Sequence, residues 1–277
     1  MDPLSTDDAS RSDAGTIVQR KDLGRRVLGA GAAALGLVGL AWGDFATVWQ
    51  PVQEYTPART LLAYLTALIL LGGGLALQWR RSAGFACLLL AALFTAFAML
   101  WMPRIIGYPH IFAVWAGFAE QFAVALAAVI AFAALREPPS PARRRLARAA
   151  RIGFGICAVS FGFNHFFAIP QTAAMVPAWI PPGQVFWAWA TGGAMVLAGL
   201  AILTGVQALL AARLLTALFL VIELFVWAPM PLSAPGDHMA WAGNAVTLTE
   251  IGAAWIVADF LARSKRRTAN ERARAAP

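Results

Sequence analysis

The sequence predicts an all-α membrane protein of about eight transmembrane helices, arranged as two parallel four-helix bundles. Three observations carry that expectation. Of 277 residues, 60% are apolar and only 13% charged, whereas soluble domains average roughly 45 to 50% apolar and 25% charged. Apolar runs of about 20 residues, enough to cross a ~30 Å hydrocarbon core as helix, recur between polar or proline-rich breaks. The chain also matches itself when displaced by 125 places.

The elements follow in order. Residues 1–25 are polar, and Arg20, Lys21, Arg25 and Arg26 stand just ahead of the first apolar run, where they hold the amino terminus in the cytoplasm as that helix inserts. The first half then carries spans at 26–45, 59–79, 82–102 and 111–135. A linker at 136–151, REPPSPARRRLARAAR, is strongly basic, and its prolines argue against one continuous helix. The second half carries spans at 152–169, 184–204, 206–228 and 239–261, and the chain ends in a basic tail, 263–277. With the amino terminus inside, all 22 Lys and Arg except Arg59 and Arg104 fall on the cytoplasmic side, as the positive-inside rule requires. The expected location is therefore the cell (inner) membrane, multi-pass, with both termini cytoplasmic and the lipid bilayer as partner. The net charge of +8 is accounted for by these loops, so no nucleic-acid partner is expected.

The self-match lays Arg26 on Arg151, Pro57 on Pro182, Thr66 on Thr191 and Gly74 on Gly199. One further residue of slip lays Trp101 on Trp227, Trp115 on Trp241 and Gly117 on Gly243. The chain reads as a tandem duplication, 26–135 and 152–262, and an even number of spans per unit gives both units the same orientation.

Ionisable groups at bilayer depth are costly unless paired or facing a cavity, so each is a site candidate. Glu120 and Glu250 stand at matched depth near the midplane. Asn164, His165 and Glu223 lie in the outer half of the membrane and belong to the second copy alone, where Asn164 and His165 align with Gly39 and Leu40, and Glu223 with the stretch around Phe97. Asn244, Thr247 and Glu250 form one polar stripe on the last span. The expectation is that His165, Glu223, Asn244 and Glu250 converge on a cavity in the second bundle, with Asp237 and His238 at its outer mouth and the apolar loop 168–183 as a cap. The competing reading, in which each group bonds separately to a carbonyl or hydroxyl and merely joins helices, stays open. Cys87 and Cys157 are isolated, and neither a nucleotide fingerprint nor a metal-spaced His/Cys cluster occurs, so no metal site is expected and no catalytic residue is identified.

The second copy carries Asn164, His165, Phe166 and Phe167, then MVPAWIPPG at 175–183 and FWAWATGGAMVLAGLAIL at 186–203. In these features it resembles the DoxX-like integral membrane protein family. The first copy lacks the histidine and the MVP segment but keeps WMPRIIGYPH at 101–110 and Glu120. The resemblance implies a four-helix unit. Because the founding member is a subunit of a thiosulfate:quinone oxidoreductase, it also implies a subunit or accessory of a quinone-linked complex, with other membrane or redox subunits as partners and a quinone in the polar pocket. No cofactor is evident from the residues themselves. Two other readings stand beside it: a transporter or lipid- and small-molecule-handling protein, and a structural scaffold.

Overall fold

The computed structural model describes residues 22–136 and 139–275. The polar segment expected at 1–25 thus lies outside the described residues up to position 21. The described residues form helices joined by turns and loops, without a strand, and eight helices are long and apolar enough to cross a membrane. This is a multi-pass helical membrane protein.

In chain order the helices are α1 (Leu23–Trp42), α2 (Arg59–Ala76), α3 (Ala83–Met99), the short α4 (Met102–Gly107), α5 (Phe112–Ala134), α6 (Pro141–Phe167), the short α7 (Ile169–Met175), α8 (Gln184–Thr204), α9 (Ala208–Ile222), a π turn (Glu223–Trp227), the short α10 (Met230–Ser233) and α11 (His238–Ala275). Two ends depart from expectation. Pro141 does not break the linker but starts α6: it occupies the first turn, where a missing N–H costs nothing, and Ser140 accepts from Arg143 N at 3.3 Å. The run Arg143 to Arg151 is therefore the first turns of a helix. At the other end α11 continues through the basic tail to Ala275. The face where α1 begins and α11 leaves the apolar region is called the basic face below, and the other the opposite face.

Neighbours in sequence pack together, but the most extensive contact joins the first and last long helices, α1 and α11. Its counterpart is α5 with α6, and α5 and α11 themselves meet at the centre. The first helix of each half thus rests on the last helix of the other. Small residues permit this approach. A Cβ on Gly31 would stand 2.5 Å from Thr249 N, and one on Gly24 2.8 Å from Ile256 N, so any larger side chain would force α1 and α11 apart. At the basic face Asp22 secures the junction, with Arg25 at 3.4 Å, Arg263 at 3.6 Å and Arg80 at 3.8 Å.

The burial pattern fixes the repeat register more closely than the sequence match. Leu28, Gly29, Gly31, Ala32, Leu35 and Gly36 are buried in α1, and Phe154, Gly155, Cys157, Ala158, Phe161 and Gly162 in α6, each pair 126 residues apart. Arg25, not Arg26, is therefore the counterpart of Arg151, and His165 is the counterpart of Gly39. Between α8 and α2 the offset is 125, as for Gly199 and Gly74. It is still 125 for Phe219 and Phe94, both buried, and becomes 126 at Trp227 and Trp101. The extra residue of the second half falls where the helix winds as a π turn, with Ala228 N donating to Glu223 O at 2.7 Å. One inserted residue is accommodated as one wide turn.

Candidate functional site

Glu223 opens the π turn, a position that first-half packing gives to apolar residues around Phe97. Its Oε2 is buried without a hydrogen-bond partner. The turn is enclosed by aromatic rings and a polar clamp. Trp227 lies against Gly243 of α11, as Trp101 lies against Gly117 in the first half. Trp49 meets Trp227 edge-on with centroids 5.6 Å apart, and Trp179 meets Phe225 at 5.9 Å. Asn244 Nδ2 donates to Trp227 O at 2.6 Å and to Ala240 O at 3.0 Å, satisfying a carbonyl at the irregular turn.

Trp49 comes from the loop 43–58 of the first half, an unexpected participant. Phe45, Ala46 and Trp49 are buried there. The loop is fastened by Arg59, which pairs with Asp44 at 2.6 Å and donates to Val52 O at 2.8 Å. From the loop expected as an apolar cap, 168–183, Trp179 is 70% exposed and its ring meets Phe225.

Deeper in the membrane, Glu250 of α11 lies within electrostatic reach of both Glu120 of α5 and Glu223. At 1.5 Å per residue, Glu250 is about 18 Å and Glu120 about 12 Å from the opposite-face ends of their helices. Both are surrounded by protein yet keep partly accessible surface. In the helix register Glu120 corresponds to Val246 and Glu250 to Val124; the two acids are not repeat counterparts but lie one turn apart about the α5–α11 contact. No Lys or Arg pairs with any of the three carboxylates among the described residues, and none of the groups acting on Glu250 is a cation. Gln121, beside Glu120, is 1% exposed and its Oε1 has no partner. An amide next to an acid in an apolar run was the available signal for it.

The remaining candidates fall into two places. His165 Nδ1 is 2.9 Å from Thr191 Oγ1, and Thr191 in turn donates to Trp187 O at 2.7 Å. A Cβ on Gly192 would stand 2.8 Å from His165 Cβ, where the first half sets Gly39 against Ala67 at 2.9 Å; the glycine has moved to the facing helix to admit the imidazole. Asn164 Oδ1 is buried without a partner. Phe161 and Phe219 meet at 6.3 Å, and His165 and Glu223 each lie one turn further along the same two helices, at one depth. Asp237 and His238 begin α11 at the opposite face. His238 stacks on Trp42 with ring planes 9° apart, close to Asp44 as well as Asp237, so the two halves meet at these residues.

Among the described residues no group of three or more His, Cys, Asp or Glu converges as metal ligands do. Searches for a matching protein-family profile, curated protein or solved structure found none. Glu250 thus lies within electrostatic reach of two other carboxylates, Glu120 from the first half and Glu223 at the π turn, and the residue after Glu120 carries a buried, unpartnered amide oxygen.

Proposed function

We propose that the protein carries protons across the membrane, and that Glu223, Glu120 and Glu250 are the relay from its opposite face to the midplane. The observation supporting this is the three-carboxylate cluster without a counter-cation. Like charges in a low-dielectric interior cannot all be ionised together, so such a cluster holds protons that its members exchange. The mouth at Asp237, His238 and Asp44 supplies an entry. In this reading the chain is a duplicated DoxX-like protein of the inner membrane with both termini cytoplasmic, an orientation supported by the arginines of the basic face. Proton uptake into proteoliposomes under an imposed pH gradient tests it: wild type should acidify the lumen, Glu250→Gln should abolish the flux, and equal flux in both would refute the relay.

A second reading, a subunit of a quinone-linked complex, is favoured by the aromatic walls of Trp49, Trp179, Trp227 and Phe225 beside Glu223, which suit a flat ring. Here His165 and Glu223 would face the two ends of the ring, and the electron donor would be another subunit. Quinone extracted with protein purified in mild detergent, and lost on His165→Ala, would support it.

A further inference from the structure

A cleft of the basic face lies away from the carboxylates, between the end of α5, the start of α6 and the prolonged α11, with a volume of about 350 Å³. Among the described residues, six arginines, Arg136, Arg143, Arg144, Arg148, Arg263 and Arg267, and one glutamate, Glu271, line it. So dense a set of like charges is unfavourable in an empty cleft, and several are fixed in place. Arg143 Nη1 donates to Phe132 O at 3.0 Å with its guanidinium 4.5 Å from the Phe132 ring. Arg144 Nε donates to Pro139 O at 3.1 Å. Each of these bonds uses one of five N–H donors and orients the rest. Arg148 and Arg267 make no hydrogen bond or ion pair among the described residues.

We propose that this cleft binds a phosphate-bearing anion, and that its source is the headgroup of an anionic phospholipid. Guanidinium forks match phosphate oxygens in pairs, and this is the chemistry six convergent arginines offer. Apolar residues also line the cleft: Ala147 of α6, and Ala134 and Phe260, near which α5 and α11 leave their apolar stretches. It therefore sits at headgroup level, where basic pockets between helices take up anionic lipid. The helical extension of α11 acquires a purpose: it raises Arg267 and Thr268 as the outer wall.

The test uses the full chain in nanodiscs of phosphatidylcholine with a minor fraction of phosphatidylglycerol or cardiolipin, read by native mass spectrometry and by thermal shift. Wild type should retain anionic phospholipid. The double variant Arg148→Ala/Arg267→Ala, which spares the arginines bonded to backbone, should bind it about thirtyfold more weakly, at roughly fivefold per arginine contact. A control of equal charge loss on the same helix but off the cleft, Arg266→Ala/Arg272→Ala, should bind as wild type. Saturable stabilisation by inorganic phosphate in pure phosphatidylcholine discs, lost in the cleft variant only, together with no retained lipid, would keep the phosphate site and overturn its lipid source. Equal losses in the cleft and control variants, or no binding of either probe by wild type, would overturn the site.

Discussion

Asn244 and Glu250 lie on one helix and were read from the sequence as one polar stripe, yet their chemistry differs. Asn244 is committed: both its amide hydrogens go to carbonyls, one on its own helix and one across to Trp227. Asn244→Leu should leave the relay groups in place and lower stability by about 1 kcal/mol, the usual worth of a polar helix-to-helix bond in a membrane, seen as a lower thermal midpoint in detergent with the proton flux retained. Glu250 has only other carboxylates acting on it. Glu250→Gln removes a titratable acid that no cation stabilises, and should hold or raise the midpoint while stopping flux. The opposite signs of the two substitutions separate a residue that joins helices from one that handles protons.

At the scale of elements, the π turn makes the two halves unequal. The first half passes from Phe94 to Trp101 in seven residues and the second from Phe219 to Trp227 in eight. Deleting Leu224, which is 62% exposed, should let α9 run on as α-helix with Trp227 still seated on Gly243. The variant is expected to fold, with helicity by circular dichroism unchanged and the thermal midpoint held or raised, because the inserted residue is removed while Phe219 and the tryptophan anchor keep their seats. The slip of one residue in the self-match was the trace of this turn in the sequence, since an insertion and a wide turn are the same event. Spans, basic loops and duplication were equally legible, because bilayer thickness and charge asymmetry act on composition. The offset in α1 and α6 was not: glycines and alanines are so frequent there that neighbouring registers match almost equally well, and only burial separates Gly29 from its neighbours. The buried loop carrying Trp49 was hidden for another reason. Its anchoring depends on Arg59 reaching back to Asp44 and Val52, a tertiary contact without a periodic signature.

For the whole molecule the decisive feature is the exchange of partners between halves. The sequence repeat predicts two parallel four-helix bundles, and the first helix of each half packs on the last helix of the other: α1 rests on α11 and α6 on α5, with Glu120 of one half in electrostatic reach of Glu250 of the other. A half expressed alone would leave the glycine-lined face of its first helix without the surface against which it packs. It would also leave one central acid without the other. Without water in the bilayer core, that loss is one of close packing, which is what holds membrane helices together. We therefore expect residues 1–138 and 139–277, produced as separate chains in the same cell, to co-purify in equal amounts and to recover proton flux. Each chain produced singly should be degraded or form mixed oligomers on size exclusion. Two stable, monodisperse halves that ignore each other would show that the α1–α11 contact contributes little, and would return the site to the second half alone.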